Sequence, residues 1–172
     1  MKRSTLLLAL AATLPLGQAF AQHVGTPVNE FTAKLAGTKE VPAVSTVARG
    51  EFRSYVHGDH LHYLLRYTGL EGNVTQAHVH LGQPGVNGGI MLWLCSNLAS
   101  PPTPAGVPAC PASPATVTGI LEADDVVGPA GQLVMPGEFA EAIRAMHKGV
   151  TYANVHTDLV PSGEIRSKVD PP

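Results

Sequence analysis

Five of the chain's eight histidines fall in three segments of alternating hydrophobicity. His60 and His62 flank Leu61, His78 and His80 flank Val79, and His156 follows Val155. In an extended chain, residues i and i+2 share a face, with their backbones ~6.6 Å apart along the strand. Each His-x-His pair therefore directs two imidazoles to one side. Two such rings, with a third from a neighbouring strand, can converge on one ion at ~2.0–2.1 Å from each nitrogen. All-imidazole ligation suits copper or zinc, and copper binds more tightly in the divalent series. The spacing thus nominates both pairs, His60 with His62 and His78 with His80, together with His156, as candidate metal ligands. The competing reading is that rings on an outer face are solvated or bonded to nearby turns. His23, His57 and His147 add no ligand spacing; His147 suits the last turn of a helix, where a cation complements the helix dipole.

The segments that must carry these rings read as short strands between Gly, Pro and Asn punctuation. Glu30 to Ala36 and Gly50 to Val56 alternate, and His57-Gly58-Asp59 is a turn signal. Leu61, Tyr63, Leu65 and Tyr67 recur at period two, as do Ala77, Val79 and Leu81. Ile90 to Leu94 is a continuous apolar run, and Thr116 to Leu121, Val150 to Val155 and Gly163 to Val169 complete the set. Many short strands at this spacing predict an all-β sandwich or barrel. In each histidine segment the apolar set takes the alternate positions, so all five rings are expected on faces that do not build the core. One segment has a different period. Phe139, Ala142, Ile143 and Met146 form the i, i+3, i+4, i+7 stripe of a short helix, with Pro136 and Glu138 in its first turn and Lys148 and Gly149 at its end.

The composition narrows the function. The chain has 172 residues, 14% of them charged, and a formal net charge of −2, so it lacks the basic stripe of a nucleic-acid binder. Lys2 and Arg3, the apolar run Leu6 to Leu16 and Ala19-Phe20-Ala21 read as a signal peptide over residues 1–21. That run is too short to cross a bilayer, which needs about 20 residues. Residues 22–29 read as a flexible N-terminus and 30–169 as one domain. A periplasmic or secreted location, with no membrane span after cleavage, is expected. In such an oxidising compartment Cys95 and Cys110 are expected to form a disulfide across a Pro-rich excursion. No G-x-S-x-G, P-loop or H-E-x-x-H motif is present.

Several segments in order resemble the CHRD domain, the repeat module first described in chordin. They are Phe31 to Pro42 with its Glu40-Val41-Pro42, Ala77-His78-Val79-His80-Leu81-Gly82, Asn87-Gly88-Gly89-Ile90, Tyr152-Ala153-Asn154-Val155-His156-Thr157 and Pro161-Ser162-Gly163-Glu164-Ile165-Arg166. The resemblance spans about residues 30 to 169. It implies a secreted, immunoglobulin-like or Greek-key β fold and, from chordin, an extracellular binding role with a protein partner. The matching polar positions are Glu40, His78, His80, Asn154, His156, Glu164 and Arg166; His60 and His62 lie outside the family pattern. Glu40, Asn154, Glu164 and Arg166 also read as an ion-paired, hydrogen-bonded latch between the first and last strands. Separately, Ala-His-Val-His-Leu-Gly is similar to the copper-binding strand of copper/zinc superoxide dismutases. That similarity implies copper on His78, His80 and His156, with Arg166 steering an anion. The chain lacks that family's zinc-site His-and-Asp cluster and its glycine-rich second signature.

Three functions follow as expectations: an exported copper-binding protein, with zinc the second choice of metal; a copper-dependent superoxide dismutase-like enzyme; and a metal-free extracellular interaction module.

Overall fold

The computed structural model describes residues 30–172, and the expected signal peptide and flexible N-terminus lie outside them. Eight antiparallel strands form one sheet: β1 (Glu30–Ala36), β2 (Arg49–His57), β3 (His60–Thr68), β4 (Val74–Leu81), β5 (Gly89–Ser96), β6 (Ala115–Leu121), β7 (Thr151–Thr157) and β8 (Ile165–Lys168). Their spatial order is β5-β4-β7-β8-β1-β2-β3-β6. The sheet curls until its two edges approach. Tyr63 Oη on β3 donates to Leu94 O on β5 at 2.6 Å, and Leu92 on β5 bridges Val126, just past β6. The architecture is therefore an almost closed β-barrel with one helix.

Alternation decides which side chains fill it. Phe31, Ala33 and Leu35 of β1, Phe52 of β2, and Leu61, Leu65 and Tyr67 of β3 are all buried, while Lys34, Arg53 and Arg66 between them face water. Gly58 supplies the positive φ, 59°, that the two-residue β2–β3 hairpin needs at its first position. The helix α1 (Phe139–His147) packs Ala142 and Met146 into the core. His147 in its last turn meets the Phe31 ring edge-on at 4.9 Å between centroids. The helix begins one residue after Glu138, which stands at its N-cap position. The Glu138 carboxylate accepts from the Met135 backbone N–H at 2.8 Å. Pro136 and Glu138 thus precede the first turn instead of lying in it.

The β4–β7–β8 side of the barrel departs from simple alternation. Every residue of β7 is buried, as are the four from Ala77 to His80 on β4. The inward face carries Ala77, Val79, Ala153, Val155 and Ile165. The outward face is polar, and three connections fold over it: residues 37–48, 82–88 and 158–164. Cys95 and Cys110 are disulfide-bonded, holding the Pro-rich excursion of residues 97–114 against β5. Asn97 bonds across its base, donating to Val74 O and Cys110 O and accepting from Cys110 N.

Candidate metal centre

The outward face of β4 and β7 brings the histidines together. In the register of this pair, His78 stands opposite Asn154, His80 opposite Tyr152 and Gln76 opposite His156. His78, His80 and His156 therefore share one face of two adjacent strands. On the other side β4 pairs with β5, and the register shifts between Ala77 and His78 and again between Val79 and His80. Irregularities of this kind twist a strand locally and re-aim its side chains. The ring centroids are 5.3 Å apart for His78 and His80, 5.1 Å for His78 and His156, and 6.4 Å for His80 and His156.

One ring nitrogen from each histidine lies within 4.8 Å of the others. Three nitrogens at 2.0–2.1 Å around one ion would be about 3.5 Å apart in a trigonal plane. Side-chain rotations of about an ångström would close the difference. Among the described residues the group contains no carboxylate and no thiol.

The hydrogen bonds prepare the rings as ligands. His80 Nδ1 lies 3.0 Å from Gly88 O, and His156 Nδ1 lies 2.9 Å from Pro161 O. A carbonyl only accepts, so each Nδ1 carries the proton and donates. In the neutral ring this leaves the lone pair on Nε2, the arrangement that outer hydrogen bonds impose on metal-binding histidines. Nε2 of His80, Nε2 of His156 and both ring nitrogens of His78 are buried with no hydrogen-bond partner. An unpaired buried polar group is costly, and four on three neighbouring rings need an explanation.

Burial also keeps the rings neutral. The loss of hydration pushes His78 from 6.5 down to about 2, with repulsion from His156 and His80 adding to it. The same loss takes His80 down to about 4, against the bond to Gly88. His156 is lowered by burial too, opposed by its bond to Pro161.

Three aromatic contacts fix the walls. Trp93 on β5 stands edge-on to His78, 4.3 Å between centroids. Tyr152 stacks on His80 at 4.6 Å and 3° between planes. The Arg166 guanidinium covers the other ring position of this stack, 3.8 Å from the Tyr152 centroid. Arg166 also donates to Asn87 Oδ1 at 2.8 Å and to Val86 O at 2.9 Å, which ties the 82–88 connection down over the rings. Asn87 continues the tie to Val41 O at 3.0 Å.

A model of the CHRD domain matches residues 31–169. The chain belongs to the CHRD-domain family. Comparison with curated proteins and with solved structures returned no match.

The remaining sequence expectations for this CHRD domain divide. His60 and His62 lie on β3, separated from β7 by β8, β1 and β2. His60 Nε2 is 3.6 Å from Glu122 Oε2, and its side chain is half exposed. His62 stacks on Tyr55 at 4.7 Å. Neither joins the three-histidine group, so neither serves as its fourth ligand in this geometry. The four residues expected as a latch are all buried, but they act separately. Among the described residues Arg166 has no carboxylate within 4.0 Å. Glu164 accepts from Thr46 Oγ1, the Glu71 backbone N–H and Thr157 Oγ1, at 2.9, 2.9 and 2.8 Å. It thereby gathers two connections and the end of β7. Glu40 has one oxygen without a partner, and burial raises its carboxyl from 4.5 to about 7 against the pull of Arg166. Asn154, opposite His78 on one side and Arg166 on the other, adjoins the rings.

Nothing in the apolar run of β5 marked Trp93 as a wall of the centre. Asn87 and Pro161 sit in aperiodic loop sequence, where only the resemblance to the family could have drawn attention to them. Among the described residues, no helix is long and apolar enough to cross a membrane.

Proposed function

We propose that this CHRD domain is an exported copper-holding protein, with the metal bound by Nε2 of His80, Nε2 of His156 and a ring nitrogen of His78. The observation that carries the reading is the set of unpartnered, buried imidazole nitrogens facing one another on β4 and β7. One metal ion can satisfy a nitrogen of each of the three rings at once. Copper is favoured over zinc because it stands higher in the divalent order and because structural zinc sites almost always have four protein ligands. The signal-peptide pattern and the Cys95–Cys110 bond support a periplasmic or secreted location. The role is retention, delivery or sequestration of metal outside the cytoplasm, in exchange with an extracellular or periplasmic protein.

The burial weighs against superoxide turnover at this centre. Arg166, the residue that would steer an anion, spends its guanidinium on Asn87, Val86 and Tyr152. A metal-free interaction module leaves the unpaired nitrogens unexplained. The test is copper titration of the mature protein beside the variant carrying His78→Ala, His80→Ala and His156→Ala. One equivalent should bind to the parent and none to the variant, with circular dichroism confirming that both are folded. Unchanged affinity in the variant would sink the proposal.

A further inference from the structure

We infer that the centre formed by His78, His80 and His156 is built for the cuprous ion in preference to any dication. The inference rests on the copper-holding reading above and specifies the charge state that the cage accepts.

The first observation is the donor set. Three imidazoles approach the point, and no carboxylate or thiolate joins them. All three donors are neutral, so an ion inside keeps its whole charge. The second is burial. His78 is 1% exposed, and His80 and His156 are each 7% exposed. The cost of moving an ion from water into such a medium grows as the square of its charge, so a dication pays about four times the penalty of a monocation of similar size. Dications in proteins offset that penalty with anionic ligands or retained water. This cage supplies no anion.

The third observation is a cationic group on the wall. Arg166 sits on the outer face of Tyr152, whose inner face stacks on His80. Its repulsion of a bound ion doubles between a charge of one and a charge of two. The fourth is coordination number. Zinc sites almost always complete four ligands, and cupric ion prefers a tetragonal arrangement of nitrogen and oxygen. A closed-shell cuprous ion has no such demand and is content with three nitrogens in a plane. On the β5 side the Trp93 indole, not a donor side chain, stands edge-on against His78. The spare oxygen on this face is Asn154 Oδ1, which is neutral and has no hydrogen-bond partner.

These features favour one charge state through separate physical terms. Neutral donors and burial act on the self-energy of the ion. Arg166 acts through its charge.

The experiment measures the affinity of the mature protein for three ions: cuprous ion under anaerobic reducing conditions against bicinchoninate, and cupric and zinc ions against nitrilotriacetate. X-ray absorption on the copper-loaded sample supplies oxidation state and ligand number. The expected result is one cuprous ion per chain, three nitrogen neighbours, and a higher affinity than for either dication. His78→Ala should weaken cuprous binding by more than about tenfold. Asn154→Asp, which places an anion on the same face, should narrow the cuprous preference, and it serves if the alanine variant does not fold. Cupric or zinc affinity equal to or above cuprous affinity, lost in the triple histidine variant, overturns the cuprous inference and leaves the metal-holding reading intact. Failure to bind any of the three ions, or binding that survives the triple exchange, overturns the reading beneath it.

Discussion

Lowering the pH of the metal-free protein should set two opposing effects against each other, and the Glu40→Gln variant separates them. In the unfolded chain the histidines titrate near 6.5, whereas in the native state burial holds His78 down to about 2 and His80 down to about 4. Below pH 6.5 the unfolded chain therefore binds protons that the native state refuses. Stability present above 6.5 is lost as the pH falls, until about 4 for His80 and further for His78. Between pH 7 and pH 5 each ring costs about 2 kcal/mol by proton linkage. Glu40 has the opposite sign. Its carboxyl is raised from 4.5 to about 7, so the native state holds a proton that the unfolded chain releases. That contribution is complete below 4.5 and disappears as the pH rises through 7. Over the same two units it adds about 2 kcal/mol. The three groups together should thus lower stability by about 2 kcal/mol from pH 7 to pH 5. Without the Glu40 carboxyl the fall should be about 4 kcal/mol. The assay is urea unfolding at both pH values, read by fluorescence of Trp93 and by circular dichroism. A Glu40→Gln variant whose acid loss is no greater than that of the parent would refute the reasoning.

Other perturbations have distinct signatures. Glu164→Ala removes the acceptor of three hydrogen bonds and leaves the hydroxyl protons of Thr46 and Thr157 and the Glu71 amide without it, which should cost about 3 kcal/mol or more in urea unfolding. Replacing Cys95 and Cys110 by serine opens a loop of sequence separation 15 and should cost about 3 kcal/mol, with copper stoichiometry in a competition titration unchanged. A β-carbon at Gly88 would stand 1.6 Å from Leu81 O, so Gly88→Ala must shift the connection whose carbonyl holds His80 Nδ1. Competition titration should show copper affinity reduced by about tenfold or more.

Much of this arrangement was legible in the alternation of apolar residues. Each of the eight strands and the helix overlaps a segment the pattern picked out, because each strand buries one periodic set and the helix one stripe; the ends shift, with β8 starting at Ile165 instead of Gly163 and α1 only after Pro136 and Glu138. The pattern also placed His78, His80 and His156 opposite the apolar positions. It left solvent exposure open, since alternation says which face a ring takes and nothing about what lies over that face. The cover consists of aperiodic segments such as Val86-Asn87-Gly88 and Leu159-Val160-Pro161, whose contacts depend on tertiary folding. The tandem motif was ambiguous for the same reason. His60-Leu61-His62 and His78-Val79-His80 look equivalent in sequence, but sheet order sets β4 beside β7 and leaves β3 between β2 and β6. The i, i+2 relation of Glu164 and Arg166 suggested a shared cluster. The two side chains instead serve different connections, Glu164 reaching residues 46 and 71 and Arg166 reaching 86 and 87.

Backbone oxygens at positions 88 and 161 set the tautomers of two imidazoles through contacts internal to the chain. Cargo is not required for them. In small zinc modules, by contrast, the ion must arrive before any fold exists. Under the proposed metal-holding reading, two of the three rings would be oriented by the chain itself before any ion arrives.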